Sequence, residues 1–196
     1  MPDFNFNTYW QEQTTEHNVV ATKTITALQK EFNDALETCV QAIKNGNKIM
    51  FFGNGGSAAD AQHLATELSV RFINDRAPIA GIALTTDTST LTAAGNDYGF
   101  DYIFSRQIEA LGNEGDIAIA ISTSGNSANI TNAITTAKGK NITVVGLTGK
   151  TGGKMRDMCD HILIVPSNTT ARIQEMHILL GHMLCGAMEL ELGLTS

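Results

Sequence analysis

Five short apolar runs, separated by stretches with helical spacing, decide most of what this chain can become. The runs are Lys48–Phe52, Ile79–Leu84, Asp116–Ile121, Ile142–Leu147 and Ile162–Val165. Between them, helices are expected over Gly56–Val70, Ser89–Ala94, Tyr102–Leu111, Asn126–Lys138, a short piece near Met155, and Ala171–Leu190. Short apolar strands alternating with helices make βαβ units and a parallel sheet covered on both faces. Ahead of the first strand, Ile25, Leu28, Phe32, Leu36, Val40 and Ile43 keep a three-to-four spacing, the stripe of an amphipathic helix. Asn45-Gly46-Asn47 is its stop signal. The stretch before it, with Trp10, Val19 and Val20, reads as helical too, giving N-terminal helices that are either part of the core or an oligomerisation arm.

The 196 residues suit a single domain, 1–196, with an N-terminal helical segment at 1–46 and an α/β core at 47–196. A net charge of −7 argues against general nucleic-acid binding, which needs clustered Lys and Arg, but leaves room for a small phosphate held by local donors. The three cysteines, Cys39, Cys159 and Cys185, are odd in number and far apart, so a reducing cytoplasm is the expected compartment. The N-terminus lacks the pattern of a signal peptide, and no apolar run approaches a membrane span, so no membrane partner is expected.

In open parallel sheets, ligands bind beyond the C-terminal ends of the strands. Here those ends are small and polar: Gly53-Asn54-Gly55-Gly56-Ser57, then Ser122-Thr123-Ser124-Gly125-Asn126-Ser127, then Thr148-Gly149-Lys150-Thr151-Gly152-Gly153. The first two lead straight into helix N-termini, where free N–H groups and the helix dipole favour an anion. Ordinary turn and N-cap chemistry would explain one such loop. Two on neighbouring strand ends point to a phosphate site. The first is not a dinucleotide fingerprint, because its third glycine is missing. Gly149-Lys150-Thr151 is not a Walker A end, because Val144 stands where the first glycine belongs. Gly125-Asn126-Ser127-Ala128-Asn129 fails the nucleophile-elbow pattern at Asn129.

His63 and Glu67 are an i, i+4 pair on one helical face, either a bite for a single cation or a solvent-facing pair. The last helix adds Gln174, Glu175, His177 and His182. Gln174 and His182 are eight positions apart, ~12 Å along a regular helix. They can share an ion only if the helix starts late or two subunits contribute.

Taken together, GNGGSAADAQHLATEL (53–68), GNDYGF (95–100), FSRQIEALG (104–112), ISTSGNSANI (121–130), LTGKTGGKM (147–155) and ARIQEMHI (171–178) resemble the sedoheptulose-7-phosphate isomerases, or phosphoheptose isomerases, of the sugar-isomerase (SIS) fold. The resemblance fades before Asn47. It implies a flavodoxin-like five-stranded parallel sheet flanked by helices, a homotetramer with active sites at subunit interfaces, and conversion of sedoheptulose 7-phosphate to D-glycero-D-manno-heptose 7-phosphate, the first step toward the ADP-heptose of lipopolysaccharide. The family's zinc ligands fall on His63, Glu67, Gln174 and His182. Its substrate contacts fall on Asn54, Gly55, Gly56, Ser57, Glu67, Asn96, Asp97, Ser122, Thr123, Ser124, Ser127 and Gln174. Its acid–base candidates are Glu67 and His182. Moving a carbonyl from C2 to C1 through an enediolate requires a base, an acid and a stabiliser of negative charge. A carboxylate bound to zinc is a weak base, so either Glu67 leaves the ion during turnover, or His182 or water carries the proton. A related branch of the fold is an adaptor for a replication initiator. It tends to lose the residues present here as Gly56, Glu67 and His182. A sugar-phosphate-sensing regulatory domain is a third expectation, and it would bind without turnover.

Overall fold

The computed structural model describes residues 4–195. A helix, α1 (Phe6–Lys44), leads into β1 (Ile49–Gly53), α2 (Gly56–Ser69), β2 (Gly81–Ala83), α3 (Thr88–Asp97) and α4 (Ser105–Leu111). Then come β3 (Ile117–Ser122), α5 (Ala128–Gly139), β4 (Thr143–Gly149), β5 (His161–Val165) and α6 (Thr170–Glu191). Short 3-10 turns at Phe100–Tyr102 and Gly153–Asp157 fill the remaining connections.

The five strands are parallel and lie in the order β2-β1-β3-β4-β5. The chain therefore reverses direction across the sheet between β1 and β3. At such a switch point the outgoing loops splay apart and leave a crevice. β1 and β3 are buried along their whole length, as a sheet covered on both faces requires. Alternate strand residues feed two cores. Phe51, Ile119, Val145 and Leu163 pack with α1, α2 and α6 on one face. Met50, Phe52, Ala118 and Val144 pack with α3, α4 and α5 on the other.

The N-terminal region differs from expectation. There are not several N-terminal helices but one, 39 residues long. No Gly or Pro interrupts residues 6–44, so nothing stops a helix once Asn5 has capped it by accepting from the Thr8 N–H at 3.1 Å. Its second half belongs to the core: Leu28, Ala35, Cys39, Val40 and Ala42 are buried against β5 and α6. Its first turns instead present Phe6, Tyr9, Trp10 and Val19 to solvent. Two further boundaries move. β2 shrinks to three residues as the Ile79 N–H turns away from the sheet to the Leu68 carbonyl, and α5 starts at Ala128 because Ser127, its N-cap, is extended at φ −63° and ψ 124°. Among the described residues, no helix is long and apolar enough to cross a membrane.

Candidate active site

The two expected anion loops flank the switch point. Gly55 turns the chain at φ +57° and serves as the N-cap of α2 with no side-chain bond to it; the Ser57 and Ala58 N–H groups already donate to the Asn54 and Gly55 carbonyls, which leaves the amides of Gly55 and Gly56 for an anion. The neighbouring loop is folded on itself. The Gly125 N–H donates to Ser122 Oγ at 3.2 Å, Ser122 and Ser127 hydroxyls lie 3.4 Å apart, and the Asn126 N–H donates to Ser124 Oγ at 3.3 Å. The loop after β4 supports it from below: Lys154 N–H donates to Asn126 Oδ1 at 3.1 Å and Met155 N–H to the Gly125 carbonyl at 3.1 Å. Thr123 and Ser124 remain half-exposed over this base. No charged side chain joins these contacts, which leaves hydroxyls and amides as the donors for an anion.

Asn54 is locked to Asn129, a residue sequence reasoning missed. The two amides exchange hydrogen bonds of 2.9 and 2.8 Å, joining the β1 loop to the first turn of α5. Ser57 is buried against Gly53 in the first turn of α2. Asn96 and Asp97 lie exposed at the end of α3, joined to each other at 2.8 Å and to none of the other expected residues.

A second centre forms between α2 and α6. His63 Nε2 lies 3.0 Å from Glu67 Oε1, and His182 Nε2 lies 3.2 Å from His63 Nε2. One ligand atom from each residue falls within 4.8 Å of the others. The imidazole rings of His63 and His182 meet edge-on with centroids 5.0 Å apart. A single ring nitrogen of His63 faces both a carboxylate oxygen and another imidazole nitrogen. One hydrogen or one lone pair satisfies only one of them. A cation between the three would accept a lone pair from each, and two imidazoles with one carboxylate are a suitable donor set for zinc.

Asp60, one turn before His63, was also missed. Burial raises its carboxyl pKa, the nearby His63 and His182 rings oppose that rise, and its Oδ2 has no hydrogen-bond partner among the described residues. Its i−3 spacing from His63 is the signal that would have found it.

Gln174 does not join this cluster within one chain. Its amide packs on the N-terminal turn of α2, where a Cβ added to Gly56 would lie 2.5 Å from Gln174 Nε2. α6 already begins at Thr170, so a late helix start does not bring Gln174 to His182. Glu175, beside it, pairs with His17 Nδ1 at 2.7 Å and Arg172 Nη2 at 2.6 Å, tying α6 to the exposed end of α1. His177 is fully buried, facing the Thr148 carbonyl at 3.1 Å, and burial drops its pKa to about 4.

The sequence and the fold have counterparts in known proteins. The SIS-domain family model matches residues 14–149. The chain is 52% identical over 184 residues to the phosphoheptose isomerase of Paramagnetospirillum magneticum, covering 94% of this chain and 96% of that one. The structure of phosphoheptose isomerase GmhA from Neisseria gonorrhoeae superimposes with a TM-score of 0.90 at 43% identity, over 95% of this chain and all of that one. A phosphoheptose isomerase from Francisella tularensis gives 0.92 at 38% identity, covering 95% of this chain and 100% of that one. The chain belongs to the SIS-domain proteins and, among them, to the phosphoheptose isomerase family.

Proposed function

We propose that this protein is an aldose–ketose isomerase that converts sedoheptulose 7-phosphate to D-glycero-D-manno-heptose 7-phosphate. The observation that carries the reading is the convergence of His63, Glu67 and His182 on one point. Two of the three, His63 and Glu67, lie on the helix that springs from the first anion loop. In this substrate the phosphate and the reacting carbons stand at opposite ends. A holding site and a reacting site must therefore be set apart, as the Ser/Thr loop and the imidazole–carboxylate cluster are.

The phosphate is held by the hydroxyls of Ser122, Thr123, Ser124 and Ser127 and by the amides at Gly55 and Gly56. Neutral donors at a helix N-terminus bind a phosphate without neutralising it outright. Asn54, Asn96 and Asp97 take sugar hydroxyls. Ser57 sits behind the loop and sets its backbone. Glu67 and His182 exchange the proton between C1 and C2: one removes it, and the other serves the oxygen. Zinc fits the His63, Glu67 and His182 donor set and, when bound, would supply a Lewis acid that polarises the substrate carbonyl. Gln174 is the fourth ligand of the family pattern. The unbroken helix from Thr170 supports its serving a neighbouring subunit's centre, in a homotetramer with sites at the interfaces. The exposed apolar residues Trp10, Val19, Ile25 and Met183 on α1 and α6 offer the surface for that assembly. A cytoplasmic location accords with three unpaired thiols.

The test is to follow sedoheptulose 7-phosphate by NMR in deuterated water. The aldoheptose phosphate should appear with deuterium at C2, and Glu67→Gln and His182→Ala should abolish it. A wild-type protein that turns over nothing with zinc supplied would end the isomerase reading.

A further inference from the structure

Arg76 lies on the loop between α2 and β2, yet its side chain is 0% exposed, and that of Glu189, its partner on α6, is 3% exposed. Arg76 Nε donates to Glu189 Oε1 at 2.7 Å. Nη1 donates to the carbonyls of Leu68 and Ala77 at 2.7 and 3.0 Å, and Nη2 to the Glu67 carbonyl at 2.6 Å. The carbonyls of Glu67 and Leu68 lie in the last turn of α2, where no further helical N–H follows. Glu189 Oε1 accepts a second hydrogen bond, from the Phe72 N–H at 3.0 Å. The loop so closed places the Phe72 ring on His182, stacked at 25° with centroids 5.5 Å apart. Gly186 leaves room for that ring: a Cβ there would lie 3.1 Å from Phe72 Cε1.

A buried ion pair is weak ground for stability, because apolar replacements of the same shape often serve as well. As a geometric constraint it is strong, since the guanidinium fork fixes several acceptors in one plane. Here every acceptor but the Ala77 carbonyl belongs to the helix that carries His63 and Glu67 or to the helix that carries His182. We propose that Arg76 and Glu189 are positioning residues for the isomerase: they join the end of α2 to α6, and with Phe72 they fix His182 against His63 and Glu67. This rests on the isomerase reading of that cluster.

The experiment compares full-length wild type with Arg76→Lys, Glu189→Gln and Phe72→Leu. Steady-state kinetics, the visible absorption of added cobalt(II), and the circular-dichroism melting curve are measured for each. In variants folded at the assay temperature, kcat should fall about tenfold or more with KM little changed, and cobalt(II) should bind about tenfold more weakly or show a shifted band. Variants that melt earlier but keep the wild-type kcat and cobalt spectrum would overturn the proposal. If the two ion-pair variants do not fold, Phe72→Leu decides, because it leaves the pair in place: an unchanged kcat and spectrum overturns the proposal, and a loss of both supports it. A wild type that neither turns over substrate nor takes cobalt would remove the isomerase reading itself, an outcome distinct from active wild type with indifferent variants.

Discussion

Asn54 and Asn129 exchange two amide hydrogen bonds across the point where the sheet reverses direction, so the loop after β1 and the helix after β3 move as one piece. Replacing Asn129 with Leu keeps the branched shape, with slightly bulkier tips, and strands the Asn54 amide. The loss should be about 0.5–1.5 kcal/mol of stability, the net worth of a hydrogen bond at a partly buried site. Because both loops belong to the proposed phosphate site, KM for sedoheptulose 7-phosphate should rise about tenfold or more. Urea unfolding and steady-state kinetics on one preparation check both.

Gly56→Ala should separate folding from function. The added methyl would meet the far end of the Gln174 side chain, which can swing away. Thermal stability should change by less than about 1 kcal/mol, within the range of mild surface substitutions and Gly-to-Ala gains. Turnover should fall strongly, because Gln174 leaves its place. An active Gly56→Ala enzyme would show that the position of Gln174 does not matter.

Gly125→Ala should damage the Ser/Thr loop at its base. The residue sits at φ +66°, and a Cβ there would run into the Gly152 carbonyl. The left-handed backbone alone costs about 1–2 kcal/mol with a side chain, and the clash adds to it. Gly139, at the end of α5 with nothing within 4 Å of an added Cβ, is the control. Gly139→Ala should be neutral or stabilising by up to about 1 kcal/mol. Denaturant midpoints of the two variants give the comparison.

His177 makes stability depend on pH. Burial, opposed in part by the hydrogen bond to Thr148, lowers its pKa from 6.5 to about 4. The unfolded chain therefore takes up a proton near pH 6.5 that the folded chain refuses until about pH 4. Its contribution is fully present above pH 6.5 and is lost as the pH falls through that window, by roughly 3 kcal/mol in all. His177→Gln should flatten the decline between those limits while leaving the slope below them, where Asp116 and Asp160, both held below the ordinary carboxylate range, titrate. Urea unfolding at half-unit pH steps measures it.

What the sequence made legible follows physical range. The strands were visible because each is a continuous apolar run, and the anion loops because glycine and hydroxyls cluster at their ends. His63 and Glu67 were visible because one helical turn separates them. Both halves of α1 are legible as helix, but their continuity is not carried by a stripe, because the polar first half lacks a strong one; the absence of Gly and Pro is the better guide to a single helix. Asn129, Arg76, Phe72 and Glu189 were not visible. Each acts through a partner between 75 and 117 positions away, or on a ring of α6 that only the fold brings near. A pair separated by that much chain leaves no local pattern.

The meeting of α1 with α6 has a consequence for biosynthesis. α1, made before every strand of the sheet, packs against α6, made after all of them, and His182, Gln174 and Glu189 all lie on α6. A nascent chain that has emerged only as far as β5 carries both phosphate loops but lacks His182 of the imidazole–carboxylate cluster, and the flank of α1 that α6 buries has no cover. The apolar residues Leu28 and Phe32, which face Leu180 of α6, stay open to other chains until that helix has emerged. Premature termination upstream of α6 should therefore yield an aggregating fragment, not a weakly active enzyme.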